Sequence, residues 1–126
     1  MTMTKEYIQG LFDGEGCINI DRHRYITKNK TLTKYFYLNM SISNKNAECL
    51  RRVKEFLGYG TIYYEKKTQV YKLYFNEKES VELLNHIGSG LIVKREEVKL
   101  IKDFMNDKNE LYFIELRNRR RGYKIT

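Results

Sequence analysis

The chain has no proline, no tryptophan, only two cysteines (Cys17 and Cys49) and only two histidines (His23 and His86). Cysteines so spaced make neither a disulfide framework nor a zinc-ligand pattern, and both read as buried thiols. Histidines this far apart in sequence give little basis for a zinc site or a histidine triad, so catalysis has to rest on carboxylates, lysines or a borrowed metal. No apolar stretch approaches the roughly 18 residues of a membrane helix. The opening Met-Thr-Met-Thr-Lys-Glu lacks the basic-then-apolar order of a secretory signal. The expectation is an intracellular protein with no membrane partner. Its 126 residues exclude a barrel enzyme or a two-domain nucleotide-binding enzyme and suit one domain over 1–126.

What is present is positive charge and tyrosine. Lys and Arg number 24 against 16 Asp and Glu, a net charge of +8. That asks for a polyanionic partner, and a nucleic acid and an anionic membrane surface both satisfy it. Eleven tyrosines and six phenylalanines in a 41% hydrophobic chain supply a core and exclude a disordered tail.

Patterning predicts an α+β fold. Tyr7, Ile8, Leu11 and Phe12 recur at helical spacing behind Thr4, and Gly14 and Gly16 close that helix. Alternating residues around Ile18 and Ile20, a polar turn over 27–33, and a second alternation around Leu38, Met40 and Ile42 give a hairpin. Asn44 or Asn46 caps a helix through Ala47, Leu50, Val53, Phe56 and Leu57, ended by Gly58. Residues 60–66 and 69–76 form a second hairpin. From residue 78 the pattern is helical, with Val81, Leu84 and Ile87, a break over 88–90, then Val93, Val98, Leu100, Ile101, Phe104 and Met105. Residues 111–126 read as a basic tail bearing Arg117, Arg119, Arg120 and Arg121.

This order implies a four-stranded antiparallel sheet with helices on one face. Ile18, Ile20, Leu38, Met40, Ile42, Ile62, Tyr64, Tyr71, Leu73 and Phe75 then point at the helices. Asn19, Asp21, His23, Tyr37, Asn39, Ser41, Tyr63, Glu65, Lys72 and Tyr74 point the other way. That second face is either ordinary solvated sheet or a platform whose amides, hydroxyls and charges meet base edges in a major groove.

The first helix holds two oddities. Gly10 and Gly14 lie four apart on one face, where each costs up to about 1 kcal/mol relative to alanine. Small residues at that spacing let two helix backbones approach closely. Asp13 and Glu15 sit at the carboxyl end, where the macrodipole disfavours negative charge and a cation offsets it. If the helix packs against its own copy, two Glu15 carboxylates converge, and a divalent cation between them relieves their repulsion.

Residues 8–16, Ile-Gln-Gly-Leu-Phe-Asp-Gly-Glu-Gly, resemble the signature of the LAGLIDADG homing endonucleases, with Gln9 at its variable second place. The resemblance extends over nearly the whole chain, weakening after about Met105. It implies an αββαββα fold whose sheet forms a DNA-binding saddle. Because one copy of the motif is present, it implies a homodimer on near-palindromic DNA, paired through Ile8, Gly10, Leu11, Asp13 and Gly14. It further implies Glu15 as the metal-ligating catalytic acid with Gly14 as a second ligand, and Lys94 as a solvent-organising lysine. Asn44 matches a polar residue that positions the active-site water, and equally a simple helix cap. The family's basic residue early in the second helix has no clear counterpart, Lys45, Arg51 and Arg52 being only candidates. The implied cofactor is Mg²⁺, replaceable by Mn²⁺. Strands of about 7 to 8 residues span some 7 base pairs, so two subunits and the centre cover about 20.

The leading reading is therefore a metal-dependent, site-specific DNA endonuclease encoded within an intron or intein, in a bacterial, archaeal or phage-infected cytoplasm or in an organelle. A non-catalytic binder on the same fold, an RNA-splicing maturase or a DNA-binding regulator, is the alternative. An unrelated RNA-binding sheet stacking bases on Tyr37, Tyr63 and Tyr74 ranks last, since it leaves Gly10, Gly14 and Glu15 unexplained.

Overall fold

The computed structural model describes residues 2–120. Thr4 starts the first helix, its hydroxyl accepting the Tyr7 N–H at 3.1 Å. Helix α1 (Lys5–Glu15) leads directly into strand β1 (Gly16–Ile26), which turns into β2 (Leu32–Asn44). Helix α2 (Ala47–Leu57) crosses to a second hairpin, β3 (Thr61–Glu65) and β4 (Val70–Phe75). Helix α3 (Glu77–Ile87), a 3₁₀ turn (Gly88–Gly90), α4 (Arg95–Asn106) and α5 (Glu110–Arg120) complete the order. Among the described residues no helix is long and apolar enough to cross a membrane.

The sheet is antiparallel throughout in the order β1-β2-β4-β3. Residues directly opposite in such a ladder share a face. Ile18 opposite Met40, Ile20 opposite Leu38, and Ile42 opposite Leu73 therefore form one apolar side. These six side chains and Phe75 are buried against Ile8 and Phe12 of α1, Leu50 and Val53 of α2, and Leu83 and Ile87 of α3. Burial on this scale, at about 25 cal/mol per Å² of apolar surface, anchors the helices to one face and leaves the other uncovered by them.

The helix ends are chemically marked. Asn46 caps α2, accepting the Glu48 and Cys49 N–H groups, and Gly58 closes it at φ +87°, a conformation side chains disfavour. Asn44, the other candidate, instead accepts the Asn46 N–H at 2.8 Å. Asn76 and Glu79 form a reciprocal capping box at α3.

Four expectations change. The first hairpin is much longer, pairing eleven residues from Gly16↔Ile42 to Ile26↔Leu32, so the turn shrinks and the strands exceed the expected length. Beyond the core, ladder hydrogen bonds continue while hydrophobic alternation fades, and that fading read as loop. Tyr64, expected against the helices, is 48% exposed and packs edge-on to Tyr71 instead, where the hydrophobic alternation no longer faces a buried core. Val93, expected within a helix, is 77% exposed in the segment before α4. The expected tail folds as α5 up to Arg120, with Leu116 buried, Phe113 against Phe36, and Glu110 paired with Lys34 at 2.9 Å. Arg121 lies outside the described residues.

Candidate active site

Helix α1 directs three groups in three directions. Its inner face puts Ile8 and Phe12 wholly into the core. Ile8 was expected at a subunit interface; its side chain is instead consumed by its own chain, because it repeats at i, i+4 with Phe12. Asp13 also turns inward. Its Oδ2 accepts the Ile92 and Val93 N–H groups at 2.7 and 3.0 Å, and its Oδ1 accepts that of Lys94 at 3.0 Å. Partial burial raises the Asp13 pKa, but the three N–H bonds and the Lys94 charge outweigh it and leave the carboxyl below its ordinary value. Asp13 thus serves the amino-terminal approach to α4, where negative charge is favoured.

The opposite face is open. A Cβ built on Gly10 or Gly14 meets nothing within 4 Å, and Tyr7, one turn earlier, is also exposed. Leu11 borders this face half-buried. Gly16 differs: a Cβ there would strike the Phe12 ring and carbonyl at 2.5 Å, so its own chain needs glycine where helix passes into strand.

At the carboxyl end stands Glu15, exposed, the last residue of α1. It lines a hollow of about 340 Å³ with Ser43, Asn44, Lys45 and Val70, where β2 ends beside the start of β4. The structure thereby brings Glu15 and Asn44 together from positions 29 apart in sequence. Lys94 comes to the same helix end, its Nζ donating to the Asp13 carbonyl at 2.9 Å and lying 5.9 Å from the centre of the Phe12 ring. A cation bonded to a last-turn carbonyl offsets the negative end of the dipole that Glu15 aggravates. Among the described residues no group of three or more His, Cys, Asp and Glu converges. The oxygen donors available are the Glu15 carboxylate and last-turn carbonyls such as that of Gly14.

Ladder register sets all ten outward candidates on the uncovered sheet face. Asn19 lies opposite Asn39, Asp21 opposite Tyr37, Ser41 opposite Tyr74, and Tyr63 opposite Lys72, with His23 and Glu65 continuing the same rows. Lys72 and Glu65 pair at 3.0 Å. Tyr25 and Tyr35 belong to this face and were missed; ring centres of His23 and Tyr35 are 5.2 Å apart, and those of Tyr25 and Tyr35 6.1 Å. Carrying the alternation two residues further into the supposed turn finds both. Lysines cluster at the turns, Lys28 and Lys30 at one hairpin tip and Lys66 and Lys67 at the other.

Known proteins resemble this arrangement. No curated protein matches the sequence. Among solved structures, an archaeal intron-encoded homing endonuclease, I-Vdi141I, complexed with DNA, superposes at a TM-score of 0.69 and 21% identity, over 90% of this chain and 82% of that one. The homing endonuclease I-CvuI, in complex with the I-CreI target in the presence of Mg and with its DNA not cleaved, gives 0.64 and 18%, over 89% and 74%. The I-LtrWI LAGLIDADG homing endonuclease, bound to target DNA, gives 0.66 and 22%, over 92% of this chain but 43% of that one. At these identities the likeness establishes the fold. The family model described as LAGLIDADG endonuclease matches residues 8–89, from Ile8 in the motif helix through both hairpins and α3 into the 3₁₀ turn. The chain belongs to the LAGLIDADG endonuclease family.

Proposed function

We propose that the chain is a site-specific double-strand DNA endonuclease, acting as a homodimer on a near-palindromic site. The observation that carries this reading is the placement of Glu15 at the end of a helix whose glycine face is unused by its own chain. Gly10 within the helix and Gly14 in its last turn, neither with a close neighbour, cost helix stability that is offset if a second backbone approaches them. Ile92 and Val93, fastened to the carboxyl end of the same helix by Asp13, add exposed apolar surface beside it. I-LtrWI, more than twice as long as the part matched here, has room in one chain for what two copies of this chain supply.

A divalent cation fits the donor set. Exposed carboxylate and carbonyl oxygens are hard ligands of the kind Mg²⁺ takes sparingly, completing its shell with water and phosphate. One chain offers a single such carboxylate, so Glu15 from each copy and the phosphates together make the set. A bound Mg²⁺, or Mn²⁺ in its place, supplies charge stabilisation on the phosphate oxygens and a more acidic water. The chain's own residues do the rest. Glu15 fixes position, Asn44 orients water by hydrogen bonding, and the Lys94 ammonium, steadied by the Asp13 carbonyl, favours negative charge accumulating at the scissile phosphate. The uncovered sheet face reads the major groove, and lysines at the hairpin tips meet the backbone. Such an enzyme suits intron homing in an intracellular compartment.

The test is cleavage of a randomised DNA library by the purified chain in Mg²⁺ or EDTA, beside Glu15→Gln. The expected outcome is metal-dependent staggered cuts at one near-palindromic sequence, lost in the variant by at least about 10²-fold while binding persists. Sequence-selective binding without any cut ends would instead establish the non-catalytic binder.

A further inference from the structure

Asp21 is a carboxylate on the face that, on the reading above, meets a polyanion. It stands five residues along β1 from Gly16, directly across from Tyr37. Two carboxamides bracket it: its Oδ1 accepts from Asn19 Nδ2 at 2.6 Å and its Oδ2 from Asn39 Nδ2 at 2.5 Å. Among the described residues no cation pairs with it. Arg22 and Arg24, its neighbours on the strand, alternate to the other face, where Arg22 approaches Glu110 at 4.0 Å. General attraction to DNA gains nothing from a negative charge here, since phosphates repel it.

The chemistry of the cluster is nevertheless one-sided. An ionised carboxylate only accepts, so both asparagines are compelled to turn an NH₂ group toward it. The pair of amides holds the carboxylate upright between the strands and spends donor capacity doing so. A carboxylate has about four acceptor positions, and two are taken, which leaves acceptor capacity for a further donor. In the major groove, cytosine offers its N4 amino group and adenine its N6 amino group, whereas guanine offers only acceptors at O6 and N7. An acceptor cluster therefore rewards an amino base and penalises guanine.

We propose that Asp21, braced by Asn19 and Asn39, is a specificity determinant that accepts a hydrogen bond from the exocyclic amino group of a cytosine or adenine in each half of the site. At about 3.3 Å per strand residue, Asp21 lies roughly 17 Å, or some five base pairs, outward from the end of α1. The inference rests on the DNA-binding reading but adds the base class at one position.

Selection of bound duplexes from a randomised library by the full chain, by Asp21→Asn and by Asp21→Glu tests it. The wild-type site should hold cytosine or adenine at one position per half, preferred about five- to hundredfold. Asp21→Asn, which presents donors as well as acceptors, should lose or switch that preference by at least about fivefold with other positions unchanged, and Asp21→Glu should retain an amino base there. A second measurement keeps the native protein. Replacing that cytosine by 2-pyrimidinone, or that adenine by purine, removes only the amino group and should weaken wild-type binding by a similar factor. If Asp21→Asn enriches the same base in the same ratio and the deaminated sites bind equally well, Asp21 is a brace within the sheet and the inference falls. If the wild-type chain enriches no sequence, the endonuclease reading itself falls, an outcome distinguished by the missing wild-type motif.

Discussion

Gly10→Ala separates what α1 does in one chain from what it does between two. In the single chain the new methyl meets nothing within 4 Å, and Gly10 has no positive φ to relieve. Alanine in the middle of an exposed helix face is then worth about 1 kcal/mol over glycine. For a chain of this size that raises Tm by about 3–6 °C. Between two copies the sign reverses. A methyl inserted where backbones meet costs about 1–3 kcal/mol, and symmetry enters it twice. At the low end, about 2 kcal/mol, the dimer weakens roughly thirtyfold. The helix-propensity gain does not offset this, since it is shared by the folded monomer and the dimer. Sedimentation velocity over a concentration series, with thermal unfolding at each end, reads both effects. The variant should be the more stable protein where both are monomeric, and should lose that advantage, or fall below the wild type if each methyl costs more than about 1 kcal/mol, where the wild type is paired. A variant with unchanged association and a higher Tm at every concentration would refute the pairing of α1 through its glycine face.

Two further perturbations act at the other end of the helix. Asp13→Asn weakens the bonds to the Ile92, Val93 and Lys94 N–H groups and should cost about 1–2 kcal/mol at neutral pH. Because the folded Asp13 pKa is depressed, its contribution is present above the ordinary carboxylate value and lost as pH falls through the folded one. The gap between variant and wild type in denaturant titrations should therefore close below about pH 4, and a constant gap down to acid unfolding would contradict the assignment. Lys94→Met should slow single-turnover cleavage by about 10²-fold with little loss of binding, and a normal rate would return Lys94 to a role in closing α1.

The parts of the fold that periodicity encodes were readable, and those fixed by distant contacts were not. Ile18, Ile20, Leu38, Met40, Ile42, Leu73 and Phe75 alternate in sequence and are buried in the structure, because one side of the sheet is pressed on helices. Residues 22–36 lose that signal, since α5, nearly eighty residues later, supplies the cover through Phe113 and Glu110. The tail itself looked basic rather than amphipathic, and among its described residues only Leu116 is fully buried. In the site, residue chemistry pointed to Glu15, whereas Asn44 and Lys94 came from the family resemblance alone; Glu15 and Asn44 share a hollow where β2 ends, and Lys94 reaches the same end of α1 because Asp13 holds the segment before α4. The helical pattern could not assign Ile8, which reads as apolar for either side of α1; the core contact with Phe12 and the sheet decides it.

If the sheet face meets DNA as proposed, charge is distributed so that attraction and discrimination occupy different places. The net +8 is carried at the hairpin tips by Lys28, Lys30, Lys66 and Lys67, beside the hollow by Lys45, and along the helices. The sheet face itself is close to balanced: Lys72 is spent on Glu65, and Asp21 on two amides. A face lined with lysines would bind any duplex and gain little from the correct one, because phosphate contacts carry no sequence information. Amides, tyrosines and a braced carboxylate gain only when the base edges match. On that reading a long hairpin follows from the same division, since reading more base pairs would require more strand; β1 and β2 extend past the core at the cost of leaving Tyr25 and Tyr35 exposed. Those rings remain in contact with one another and with His23, which keeps the projecting ladder ordered before any partner arrives.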